Sequence, residues 1–160
     1  MALYYFAYGA NMDVADLSHR CDMRRRNLVR FISSRPAMLK GYRLVFNVFC
    51  PRRESGILNL VPAPKKMVHG VLHELPAGDV IAARDFAEGA PHIYRIHTVT
   101  VTTAAGKEFP AAVLMADVRK KALYRPAEAY VQLIAAAARR HRLPSSWVDR
   151  LTKCGTGVDV

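Results

Sequence analysis

The sequence predicts an α+β fold in which a sheet curls toward a barrel. Strand-like segments follow one another through residues 30–61 with only loops between them, and a hairpin pattern fills 94–117. Strands joined without intervening helices pair antiparallel. Helical patterns are confined to the stretch after residue 12, the stretch after Pro76 and the chain beyond Pro126.

The elements read in order as follows. Leu3–Tyr8 is rich in β-favouring aromatics and stops abruptly at Gly9. Asp13–Cys21 reads as a short helix with acidic residues in its first turn. A strand feeding a helix through a tight turn exposes backbone N–H groups that can hold an anion. Leu28–Ser33 is expected as a strand, and Pro36 opens a new segment. Ala37–Phe49 is strongly strand-like, Pro51–Gly56 a loop, and Ile57–Val61 a short strand ending at Pro62-Ala63-Pro64. Met67–Leu75 is a further strand. Pro76 suits the first turn of a helix to about Ala87, with Gly89 just past its end.

Tyr94–Thr103 alternates with period 2, Ala105-Gly106 makes a turn, and Glu108–Asp117 returns as a hairpin partner. Pro126 opens the longest helix, to about Arg142, with Tyr130, Leu133, Ile134 and Ala137 on one face. Leu143-Pro144 breaks it, and Ser145 or Ser146 caps a last helix through Lys153. The sum is about seven strands and three or four helices in one domain, 1–154, with a tail at 155–160.

Bulk properties narrow the function classes. A chain of 160 residues, 51% hydrophobic, suits one domain with a real core and excludes disorder. No apolar run approaches the ~20 residues that span a bilayer. The N-terminus lacks the basic-then-apolar pattern of a signal peptide, so a cytoplasmic location and no membrane partner are expected. Cys21, Cys50 and Cys154 are widely spaced and read as free thiols. His69 and His73 stand four apart like helical zinc pairs, but their stretch reads as a strand, so solvated or core histidines are expected and no metal. Net charge is +11, much of it in Arg24-Arg25-Arg26 and Arg139-Arg140-His141-Arg142. No nucleic-acid fold signature accompanies it, so a solvated basic face is expected rather than a nucleic-acid partner.

Asp85 and Glu88 share a face of the 76–88 helix. Glu88 sits in the last turn, where the helix dipole disfavours a carboxylate. Burial and a neighbouring ionised Asp85 would push in the same direction. All three raise its pKa toward the range of a general acid/base. No nucleophile elbow, phosphate loop or dinucleotide-binding glycine pattern occurs.

Tyr5-Phe6-Ala7-Tyr8-Gly9-Ala10-Asn11-Met12, joined to Glu88-Gly89, resembles the gamma-glutamylcyclotransferase or AIG2-like family. The family's hallmarks are a Tyr-Gly-Ser-Asn loop after the first strand and a Glu-Gly pair ending a helix, followed by a Tyr and a hairpin, here Tyr94. A Gly-Val strand, here Gly70-Val71-Leu72, precedes that helix. A late tyrosine lies ahead of Leu-Pro, here Tyr130 with Leu143-Pro144. The likeness spans about residues 4–150. It implies a gamma-glutamylcyclotransferase-like fold, a small mixed β-barrel flanked by helices.

The resemblance also implies a cofactor-independent reaction. The α-amino group of a small gamma-glutamyl substrate attacks its own side-chain carbonyl, giving 5-oxoproline and a free amine or amino acid. Gamma-glutamyl amino acids, gamma-glutamylamines and glutathione are the implied candidates. Glu88 matches the catalytic glutamate. Tyr5, Phe6, Ala7, Tyr8, Gly9, Ala10 and Asn11 match the substrate loop, and Tyr130 a substrate-contacting tyrosine. Ala10 departs from the family serine, keeping a backbone N–H and losing a hydroxyl. Alternatives are removal of a gamma-glutamyl protecting group from a biosynthetic intermediate, or a non-enzymatic basic binding module. A monomer or homodimer is expected.

Overall fold

The computed structural model describes residues 3–23, 30–76, 94–118, 121–154 and 160. Its elements are β1 (Leu3–Ala7), α1 (Val14–Met23), β2 (Ser33–Cys50), β3 (Ser55–Leu75), β4 (Tyr94–Thr103), β5 (Glu108–Ala116), α2 (Glu128–Arg140) and α3 (Ser145–Lys153). The strands form a closed barrel in the order β1-β3-β2-β4-β5. β1 runs parallel to β5 at Tyr5↔Ala112, and the other pairings are antiparallel, so the barrel is mixed as expected.

Five strands stand among the described residues where about seven were expected. Of the strand expected at 28–33, residues 28 and 29 lie outside the described residues and residues 30–32 are not strand; β2 begins at Ser33 and runs without a break through Pro36 to Cys50. The two strands expected at 57–61 and 67–75 are one, continuous across Pro62-Ala63-Pro64. Proline lacks the N–H that a ladder needs, so it is tolerated at bulges and edges. Here Lys40 pairs with Met67 and Tyr42 with Pro62, so residues 63–66 bulge out opposite Gly41 alone. The prolines bend this ladder instead of ending it. The helix expected over 76–88 and the Arg24–Arg26 run lie outside the described residues, as does the tail apart from Val160.

Phe6, Leu39, Leu44, Phe46, Leu72 and Ile134 are among the largest fully buried side chains. Beside β1 the barrel is tight. A Cβ on Gly70 would lie 2.5 Å from the Ala7 carbonyl oxygen and 2.6 Å from the Phe6 ring. α2 buries Tyr130, Val131, Ile134, Ala137 and Ala138, and α3 buries Trp147, Val148 and Leu151. The basic run at the end of α2 is partly structural. Arg140 pairs with Asp13 at 3.5 Å, and the His141 Nε2–H donates to the Met12 carbonyl at 2.8 Å. Cys50 and Cys154 are buried free thiols, and burial pushes the Cys154 thiol up to about 11.

His73 is a core histidine. Its Nε2–H donates to the Asn11 carbonyl at 3.0 Å, and its Nδ1 accepts from the Ser34 hydroxyl at 2.7 Å. Phe31 stacks on its face at 4.0 Å. Neither ring nitrogen is left to bind a metal. Burial, with a smaller contribution from nearby His141, lowers its pKa to about 4 against the opposing Asn11 bond. The unfolded chain takes up this proton near pH 6.5. Between these values the unfolded state holds more protons, so stability falls as pH falls, by up to about 3 kcal/mol.

Two outcomes are expected. Urea midpoints measured from pH 7 to pH 4 decline through that window, and the decline flattens in His73→Gln; an unchanged slope in the variant would rule His73 out as its source. Gly70→Ala lowers the neutral-pH unfolding free energy by roughly 1–3 kcal/mol through overpacking. A wild-type midpoint would show that the β1–β3 contact can yield.

Candidate active site

β1 ends at Ala7, and the chain turns at once. The Tyr8 hydroxyl anchors to the Leu114 carbonyl on β5 at 2.6 Å. Ala10–Met12 then forms a single 3₁₀ turn, with Met12 N–H bonded to Gly9 O at 3.0 Å and Asp13 N–H to Ala10 O at 2.9 Å. Asp13 opens α1 as its cap, its Oδ1 accepting the Asp16 N–H at 2.9 Å. This helix runs two residues further than its expected end at Cys21.

Among the described residues, the backbone N–H groups of Gly9 and Ala10 have no acceptor, although both residues are buried. Buried backbone donors are nearly always paired. Two unpaired donors side by side on a turn therefore form a ready seat for an anionic oxygen.

Gly9 and Tyr130 come together across 121 positions of sequence. A Cβ on Gly9 would lie 3.1 Å from the Tyr130 hydroxyl, so glycine here serves a close approach. Its φ of −126° is not in the left-handed region that favours glycine. The Tyr130 hydroxyl also accepts the Leu58 N–H at 3.3 Å, while Tyr94 donates to the Leu58 carbonyl at 2.8 Å. Two tyrosines far apart in the chain thus bracket one residue of β3, and Phe46 packs edge-on against Tyr130.

The remaining loop residues build the seat. Phe6 and Ala7 are core, and Tyr5 is buried beside His73. Asn11 donates from Nδ2 to the Tyr5 hydroxyl at 2.9 Å and accepts from Arg20. Arg20 in turn bonds Asp16 at 2.8 Å, and Asp16 takes a second guanidinium, Arg53, at the same distance. Arg53 also lies over the Tyr130 ring, 5.5 Å from its centre. A cavity of about 530 Å³ adjoins this cluster, lined by Arg20, Arg52, Arg53, Tyr130 and others.

Glu88, Asp85 and Gly89 lie outside the described residues. Sequence reasoning missed the Asp16–Arg20–Arg53 cluster. Its one legible signal is the i,i+4 spacing of Asp16 and Arg20. Arg53 reads only as a loop residue, and Leu58, which offers backbone atoms alone, gives no signal.

The gamma-glutamyl cyclotransferase, AIG2-like family model matches residues 5–135. The chain belongs to this family. Solved structures share its fold. One is a gamma-glutamyl cyclotransferase, 21% identical, with a TM-score of 0.76, covering 96% of this chain and 88% of its own. Another is an uncharacterized protein from Homo sapiens, 21% identical, with a TM-score of 0.77, covering 95% and 87%. YkqA from Bacillus subtilis is 22% identical with a TM-score of 0.76, and this chain spans 55% of its length. No curated protein sequence matches the chain. The family is one of cyclotransferases, which indicates a cyclotransferase-like activity. Among the described residues no helix is long and apolar enough to cross a membrane.

Tyr130→Phe leaves the Leu58 N–H buried without its acceptor and lowers stability by roughly 1–3 kcal/mol. Gly9→Ala crowds the Tyr130 hydroxyl. In a double-mutant cycle it is therefore less damaging in the Tyr130→Phe background, by about 0.5 kcal/mol or more. Strict additivity in denaturant unfolding would mean that the two groups do not press on each other.

Proposed function

We propose that this chain is a gamma-glutamylcyclotransferase that converts a small gamma-glutamyl compound into 5-oxoproline and a free amine or amino acid. The observation that carries the reading is the pair of N–H groups at Gly9 and Ala10, without an acceptor among the described residues and set against the Tyr130 hydroxyl. The substrate's α-amino nitrogen attacks its side-chain carbonyl carbon, and a five-membered lactam closes. Negative charge gathers on the carbonyl oxygen as the tetrahedral centre forms, and preorganised backbone donors stabilise such charge. The same donors could instead hold the substrate α-carboxylate, which would fold the substrate toward its reactive conformer.

The reaction needs a base to take a proton from the attacking ammonium and an acid to return one to the departing nitrogen. Glu88 is assigned both tasks, on the family motif and on its place before Gly89. In this reading Ala10 supplies only its backbone N–H, so the missing family hydroxyl alters substrate preference more than catalysis. Tyr5, Phe6, Ala7, Tyr8 and Asn11 act by fixing the turn, and Tyr130 by meeting the substrate at Gly9. No metal or organic cofactor enters these steps, and a cytoplasmic setting suits a small soluble substrate.

Glu88→Gln is expected to keep the wild-type circular dichroism spectrum and to lose at least about a hundredfold in turnover, the usual contribution of a general acid/base. The assay is release of 5-oxoproline from a panel of gamma-glutamyl amino acids, gamma-glutamylamines and glutathione. Wild-type protein inactive on the whole panel would overturn the reaction. Full activity in the variant would overturn only the role of Glu88.

A further inference from the structure

A second concave surface lies where the β2–β3 bulge meets the amino-terminal turn of α3. It encloses about 520 Å³, within the range of about 300–1,000 Å³ typical of small-molecule sites. It shares no residue with the Gly9–Tyr130 site or with the cavity beside it.

Four cations line it: Arg43 from β2, Lys65 and Lys66 from the bulge of β3, and Arg150 from α3. Among the described residues, no aspartate or glutamate side chain is in its wall. None of the four makes a salt bridge to a carboxylate among the described residues, although Arg20, Arg35, Arg53 and Arg140 all do. Like charges held together without a counter-charge repel, and an anion relieves that repulsion. The bulge makes the cluster possible. It sets four residues of β3 against one of β2, and two of the four are lysines.

The wall also offers a neutral donor. Ser146 lies in the first turn of α3, which has no acidic residue and no side-chain cap. Trp147 lies beneath the wall, 3% exposed, with its indole Nε1–H buried and without an acceptor, so it neighbours the groove without presenting a donor to it. His69 stands 5.2 Å from the indole, and Arg150 lies over it at 5.1 Å. Partial burial and the Arg150 charge both hold the His69 imidazole below its ordinary pKa. Leu44 and Met67 supply the apolar remainder.

We infer that this groove binds a small phosphate-bearing molecule, its phosphate held by Arg43, Lys65, Lys66 and Arg150 and its less polar part lying along Met67. A phosphate ester carries close to two negative charges at pH 7 and three acceptor oxygens, which suits a cluster of this charge and donor number. A nucleic-acid backbone suits it less well. The densest basic run, Arg139–Arg142, does not continue the groove, because Arg140 and His141 are turned onto Asp13 and Met12.

Trp147 is the sole tryptophan, so its fluorescence reads the groove directly. The full chain is titrated with sodium pyrophosphate at constant ionic strength set by sodium chloride. Saturable quenching or enhancement is expected. A Lys65→Ala/Lys66→Ala variant, altered only at exposed positions, binds at least about tenfold more weakly. Arg139→Ala, exposed and outside the groove, binds as wild type. Arg43→Ala repeats the loss should the double variant misfold by circular dichroism. No saturable change, or equal affinity in the lysine and Arg43 variants, overturns the site. Random duplex DNA moving the signal where pyrophosphate does not also overturns it, in favour of a nucleic-acid surface. Cyclotransferase assays have no part in any of these outcomes, so the groove and the proposed reaction stand or fall separately.

Discussion

The candidate site depends on Asn11, where three elements are tied to one turn. Its side-chain amide holds the Tyr5 hydroxyl of β1 and the Arg20 guanidinium of α1, and its carbonyl accepts from His73 of β3. All four residues are buried. A buried polar group without a partner costs more than a paired one contributes, so such a network specifies a single geometry. The geometry specified is that of the Gly9–Ala10 turn, whose own N–H groups meet no acceptor among the described residues.

A second polar bridge supports the first. β1 is only five residues long, and past its end the barrel must still join β3 to β5. Asn59 does this with its side chain. Its Nδ2 donates to the Ala116 carbonyl at 3.0 Å, and its Oδ1 accepts the Ala116 N–H at 2.8 Å. An amide side chain thus stands where a strand would run. The Tyr8 bond to Leu114 lies on the same strand, so the turn leaves the barrel without breaking it.

Charge is used in two different ways. Near the turn, Asp16 bridges Arg20 and Arg53, and Asp13 meets Arg140, so cations there are structural. At the bulge, Arg43, Lys65, Lys66 and Arg150 face a groove with no acidic side chain in its wall among the described residues. The net charge of +11 is therefore no uniform solvated face. Its sign was readable from composition, but its division into paired and unpaired groups was not.

Local pattern determined the elements. The aromatic run stopping at Gly9, the alternation of Tyr94–Thr103 and the face of the helix after Pro126 each named a structure that the fold contains. The motif around Gly9 named the family. Local pattern failed at Pro36 and at Pro62–Pro64, because whether a proline ends a strand depends on whether its missing N–H faces a partner. Only the tertiary structure set Gly9 against Tyr130, put Leu58 between two tyrosine hydroxyls and gathered Asp16 with two arginines. Those contacts join residues up to 121 positions apart, or use backbone atoms that every residue carries, and no periodicity records them.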